Sequence, residues 1–158
     1  MLTSAFMMSF SGNWKYQSFL VLPTGPEVLA PPGSSVTAKK WAMGDLLLDV
    51  AGDGNSVGGV LTFLPGIKMS VSARITDGMS GSLVKYEATS EGMRFGGNNP
   101  IAGSVYELVG WVIPAEGGLV AEIRGSVLAV RGPDSSPEIE AGGMPIGTVG
   151  SFVIMRDL

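Results

Sequence analysis

The chain has 158 residues, 45% of them hydrophobic and 15% charged, with a net charge of −4. This length suits one domain around one core, and the balance is too apolar and too weakly charged for disorder. The absence of Cys and His excludes disulfides, thiolate nucleophiles, Ser-His-Asp triads and most transition-metal sites.

The opening "MLTSAFMMSF" (1–10) has no basic segment, long apolar run or small-residue cleavage site. It is not read as a signal peptide, and a cytoplasmic location is expected. "FSGNWKYQSFLVL" (10–22) alternates, with Trp14, Tyr16, Ser18 and Leu20 on one face and Lys15, Gln17 and Phe19 on the other. A Pro/Gly-rich loop (23–38) follows, then "KKWAMGDLLLDV" (39–50), where Asp45, Leu47 and Asp49 alternate with Leu46, Leu48 and Val50. "AGDGNS" (51–56) carries two turn signals, and "VGGVLTFL" (57–64) is a third strand ended by Pro65-Gly66.

"IKMSVSARIT" (67–76) is the clearest pattern, with Ile67, Met69, Val71, Ala73 and Ile75 opposite Lys68, Ser70, Ser72, Arg74 and Thr76. "SLVKYEATS" (82–90) alternates again, and "EGMRFGGNNPIAG" (91–103) is a loop. Strands six and seven are "GSVYELVGWVIP" (103–114) and "LVAEIRGSVLAV" (119–130). A loop (131–147) leads to the last strand, "TVGSFVIM" (148–155). Eight sequential strands with no evident helix form a meander. The expected fold is all-β, one domain over residues 1–158, an eight-stranded antiparallel up-and-down β-barrel; a two-sheet β-sandwich is the alternative.

Successive connections of a meander alternate between the two ends. The long loops 23–38, 91–103 and 132–147 then share one end, which is the expected mouth, with Arg94, Asn98 and Asn99 at its rim.

The start "SGNWKYQSF", the eight-strand meander and the aromatic late strand "YELVGWVIP" resemble a calycin-type barrel of the avidin and lipocalin sort. The pattern continuing through "IRGSVLAV" and "VGSFVIMRD" also resembles uncharacterised bacterial proteins of that general shape. The resemblance implies a small-molecule cavity and frequent oligomers, and no particular chemistry. The chain departs from a typical lipocalin in lacking a disulfide, and the avidin biotin-contact pattern is not found, so biotin is not expected.

Strands six and seven pose a problem, because both faces are apolar yet they carry Glu107, Glu122 and Arg124. Charges inside a barrel are costly unless paired. In one arrangement the charged faces point outward, and Val109, Trp111, Ile113, Leu128 and Val130 form an external apolar patch, a subunit interface of a dimer or tetramer. In the other, Glu107 and Arg124 pair inside a wet cavity. The first explains both apolar faces at once and is the working expectation.

Trp14 and Tyr16 share a face and can plug one barrel end or stack on a ligand. Trp41 lies near the mouth, and Tyr86 faces inward beside Val84 and Ala88. Lys39-Lys40 is read as a solvated strand start, and Asp53 and Asn55 as turn chemistry. With scattered Lys and Arg, nucleic acid is not an expected partner, nor is a membrane. The expected function is binding of a small apolar or aromatic molecule by Trp14, Tyr16, Trp41, Tyr86 and Arg94, with no metal or cofactor. The alternative is a cofactor-independent cyclase or isomerase of a natural-product pathway, with Tyr16, Tyr86 and Glu107 as candidate catalytic groups. A third possibility is a purely structural assembly unit with a filled interior.

Overall fold

A strand with one apolar face needs something to bury that face against, and a sheet closed on itself supplies it. The computed structural model describes residues 4–20, 39–54, 56–64, 67–77, 83–94, 99–114, 120–135, 140–141 and 144–157. A helix, α1 (Ser4–Met8), precedes the strands β1 (Gly12–Leu20), β2 (Lys39–Val50), β3 (Ser56–Leu64), β4 (Ile67–Asp77) and β5 (Val84–Gly92). Then come β6 (Val105–Pro114), β7 (Val120–Arg131), β8 (Glu140–Ala141), β9 (Met144–Pro145) and β10 (Val149–Arg156). Eight of them close into an antiparallel barrel in the order β1-β10-β7-β6-β5-β4-β3-β2. This is the expected up-and-down barrel and not the sandwich.

Two elements depart from expectation. α1 is only five residues long, with no acidic first turn or basic last turn to mark it. β8 and β9 form a separate two-stranded ribbon within what the sequence suggested was plain loop. The loop 23–38, Asn98 and the side chains of Lys39 and Lys40 lie outside the described residues.

The inner faces follow the two-residue alternation. On β4, Met69, Val71, Ala73 and Ile75 are buried while Lys68, Ser70, Ser72 and Arg74 are exposed. On β6, Tyr106, Leu108, Gly110 and Val112 point in, and Glu107, Val109, Trp111 and Ile113 point out. Arg124 is also exposed, and its Nε donates to Glu122 Oε1 at 3.1 Å. The charges of β6 and β7 therefore stand on the outer wall, and no Glu107–Arg124 pair enters the interior.

Two levels of side chains fill the barrel below the mouth. At the end of the short connections, α1 seals the floor: Met7 and Phe10 are buried, and Phe6 meets Phe10 edge-on at 5.5 Å. Trp14 Nε1 donates to the Phe10 carbonyl at 2.9 Å, which satisfies a fully buried indole. The Arg156 guanidinium lies 4.1 Å from the Trp14 ring centroid, and its Nη1 donates to the Ser11 carbonyl at 3.0 Å. Arg156 is also the register partner of Trp14 across the closing β1–β10 seam.

At mid-height the filler is Phe152. Gly110 and Gly125 pair across β6 and β7, and Phe152 on β10 pairs with Gly125. A Cβ on Gly110 would come within 2.8 Å of Phe152 Cζ. Glycine there leaves the volume that the ring occupies. Phe152 then contacts Tyr16 at 6.3 Å with near-parallel rings and Tyr86 at 6.2 Å. Because this ring bridges three strands, Phe152→Ala is expected to cost about 3–5 kcal/mol in urea unfolding. A loss below about 1 kcal/mol would mean the ring does not hold the mid-level together.

Candidate ligand site at the barrel mouth

The opposite end carries the connections between β1 and β2, β3 and β4, β5 and β6, and β7 and β10. There the strands break alternation. Between β1 and β2, Ser18 pairs with Ala42 and Phe19 with Lys40, so Trp41 is the extra residue of a bulge. Strict alternation would place Trp41 outside with Met43 and Asp45. The bulge re-aims it across the mouth. Its ring sits 5.4 Å from Tyr106 and passes over Gly150, where a Cβ would lie 2.9 Å from the indole. A second bulge leaves Phe63 unpaired between Thr62–Lys68 and Leu64–Ile67, and its ring meets Tyr16 at 6.2 Å.

Trp41, Phe63, Ile67, Ile101 and Tyr106, with Ala42 and Met43, line a pocket of about 360 Å³. Ile101 is held there by its loop. Asn99 Nδ2 donates to the carbonyls of Lys68 and Met93, both at 2.9 Å, and the Asp134 amide donates to the Ala102 carbonyl at 2.8 Å. Asp134 also accepts from Arg94 at 3.2 Å and Arg131 at 3.4 Å. These exposed ion pairs are solvent-screened and individually weak, but they tie the two mouth loops together.

Three buried polar atoms have no hydrogen-bond partner among the described residues: Trp41 Nε1, Ser90 Oγ and Ser104 Oγ. All three belong to the mouth end. Ser90 is the register partner of Tyr106, and Ser104 lies two residues before it. Buried donors and acceptors are normally satisfied, and leaving one unpaired costs about 1–3 kcal/mol. The Tyr106 hydroxyl is near enough to the Trp41 N–H to feel it, yet the two do not form a well-aligned hydrogen bond.

All three tyrosines of the chain face inward. Burial raises the Tyr16 hydroxyl from its ordinary value near 10 to about 12, against a smaller opposing pull from the Ser18 hydroxyl. Burial chiefly, and then proximity to Tyr16, pushes Tyr86 and Tyr106 up as well, with the Trp41 N–H opposing the shift at Tyr106. All three are neutral hydrogen-bonding groups at physiological pH.

The expected site residues separate along the barrel axis. Trp41 is at the pocket, and Tyr16 lies beneath it, in contact with Phe63. Tyr86 is wholly buried at mid-height against Phe152. Trp14 lies in the floor, sealed by α1 and Arg156, and cannot line a cavity that opens at the other end. Arg94 is exposed at the mouth with its guanidinium engaged by Glu91 and Asp134. Asn99 is a loop brace and not a rim contact. Glu107 is exposed on the outer wall and is not a partner for Tyr16 or Tyr86. Val109, Trp111, Ile113 and Val130 are exposed and Leu128 half-buried, all on the outer face as expected. Phe63, Ile67, Ile101, Tyr106, Ser90 and Ser104 complete the mouth and were not singled out from the sequence.

Two larger hollows, of about 540 and 530 Å³, lie on the outer wall, the first beside Arg74, Glu87 and Glu107, the second beside Lys15, Asp45 and Lys68. Their lining includes exposed charged side chains over continuous sheet, whereas none of the described residues lining the mouth pocket is charged. No family model, curated protein or solved structure matches the chain. The closed eight-stranded barrel is compatible with a calycin-like shape. No helix among the described residues is long and apolar enough to cross a membrane.

The buried tyrosines make alkaline pH a probe of the interior. A hydroxyl with a raised pKa keeps its proton in the folded chain when the unfolded chain has lost it. Stability is thus unaffected below pH 10 and falls as pH rises through the interval up to about 12 and beyond. Near-ultraviolet absorbance is expected to show no phenolate until the barrel unfolds, then all three at once. A tyrosine titrating near its ordinary value with the fold intact would contradict this placement.

Proposed function

We propose that the chain is a binding protein for a small apolar or aromatic molecule, held at the barrel mouth between Trp41, Phe63, Ile67, Ile101 and Tyr106. The observation that carries this reading is the coincidence of an aromatic-lined pocket, uncharged in its described lining, with three buried side-chain polar atoms at the same end that have no partner among the described residues. Binding sites combine apolar walls with a few convergent polar groups. The calycin-type resemblance, with its cavity and oligomers, supports the same reading. A cofactor-independent cyclase or isomerase is less well supported. Glu107 stands outside, and Tyr16 and Tyr86 are neutral donors, so the described residues bring no acid–base pair to the pocket.

Self-association belongs to the same proposal. Val109, Trp111 and Ile113 of β6, Leu128 and Val130 of β7, and Val149, Val153 and Met155 of β10 share the outer wall of three neighbouring strands. Trp111 is 44% exposed and Val149 60%. Such a wall of large apolar side chains suits a second copy of the chain.

Titration with an environment-sensitive apolar dye tests the pocket. Trp41→Ala is expected to weaken saturable binding at least about tenfold, with the unfolding transition still cooperative. Unchanged affinity would move the site elsewhere. Light scattering tests the wall: the wild type is expected to be a dimer or tetramer, and Trp111→Glu to dissociate it. A monomeric wild type would sink the interface.

A further inference from the structure

The geometry points to a specific ligand chemistry: a neutral, roughly two-ring aromatic molecule bearing a hydrogen-bond acceptor, such as a carbonyl oxygen, directed at Trp41 Nε1. This inference rests on the reading of the mouth pocket as the binding site, and three observations narrow the ligand.

Size comes first. A cavity of about 150 Å³ accommodates benzene, so the mouth pocket of about 360 Å³ suits about two rings. Neutrality comes second. None of the described lining side chains is charged, and the nearby Arg94 is engaged by Glu91 and Asp134. A ligand charge placed here would lose its water without gaining a counter-ion among the described residues.

The acceptor comes third. An indole N–H can only donate. The three tryptophans show three treatments of that donor. Trp14 gives it to the Phe10 carbonyl at 2.9 Å, and Trp111 stands 44% exposed on the outer wall. Only Trp41, turned inward by its bulge, has a buried N–H with no partner among the described residues. Because that atom is closed to solvent, the acceptor reaches it by displacing the Tyr106 hydroxyl beside it. The displaced hydroxyl can donate to the same acceptor. The aromatic walls from Trp41, Phe63 and Tyr106 favour a flat ligand by offset or edge contacts.

The test compares three probes of matched shape: naphthalene, methyl naphthyl ketone and naphthoate. Each is titrated into the full chain and followed by proton–nitrogen NMR of the indole N–H signals, which Trp14 and Trp111 calibrate. The ketone is expected to bind at least about fivefold tighter than naphthalene and to move the Trp41 indole signal downfield. Trp41→Phe keeps an aromatic ring without the donor, and it is expected to abolish that preference. Disappearance of one signal in the variant also assigns it, and the wild-type shift alone carries the test if the variant folds poorly. Equal binding of ketone and naphthalene with an unmoved Trp41 signal would overturn the acceptor inference and leave the mouth reading standing. Tighter binding of naphthoate would overturn neutrality. No binding by any probe, with the Ile67 and Ile101 signals unmoved, would overturn both the inference and the mouth reading.

Discussion

Closure of the sheet is the constraint on which the rest of the structure depends. β1 pairs with β2 on one side and β10 on the other, so no barrel edge is left and every strand has one inner face. Inner faces must then be filled to the density of a protein interior. This chain fills them with few, large pieces: Trp14 on the floor, Phe152 seated on the Gly110–Gly125 pair, and Tyr16 and Tyr86 around it. The seam is also where Arg156 crosses Trp14, which couples closure to the floor plug through one stacked cation. The filled floor and mid-level exclude a deep cavity along the barrel axis at those heights. Among the described residues, the hollow on the inner side of the sheet lies at the mouth, where alternation fails.

The mouth differs from the rest of the interior because bulges replace regular pairing there. A bulge costs a ladder hydrogen bond and re-aims a side chain. Two of them present Trp41 and Phe63 across the opening, and Gly150 leaves room for the indole. The bracing of the rim is polar and local. Asn99, Asp134, Arg94 and Arg131 knit the loop after β5 to the loop after β7, while none of the described side chains that line the pocket is charged. Of the three orphaned side-chain atoms, only Trp41 Nε1 belongs to a residue that lines that pocket, and each is a cost to the folded chain.

Much of the fold was legible because strand periodicity is a direct record of closure. Ile67–Thr76 alternates without fault, and its faces are those of β4. The outward placement of Glu107 and Arg124 was the favoured of two arrangements that the sequence left open, because charge and grease on the same face of two adjacent strands resolve most cheaply outside. Trp41 was assigned correctly to the mouth, but its inward aim was not derivable. Its parity matches Asp45 and Asp49, and only the register against β1 creates the bulge. Trp14 reads from the sequence as either an end plug or a stacking surface for a ligand, and α1, five residues without capping signals, gave nothing to decide between them. Tyr106 and Ser90 were within reach: each continues an inner face already identified through Leu108 and Ala88. Ser104 was not, since a serine beside a glycine-rich loop ordinarily faces water.

The central claim is that the mouth, and neither the core nor the outer wall, receives a neutral aromatic molecule. Photo-crosslinking with benzophenone tests it most directly, because the probe is itself a two-ring aromatic ketone and inserts where it is bound. Peptide mapping by mass spectrometry locates the adducts. Met43, on the outer face of β2 beside the pocket, is exposed like Met8 and Met155, so the methionines report surface labelling and Ile67 and Ile101 report the pocket. The expected result is saturable labelling of Ile67 and Ile101. Labelling confined to Met8, Met43 and Met155, or concentrated on the wall of β6, β7 and β10, would contradict it.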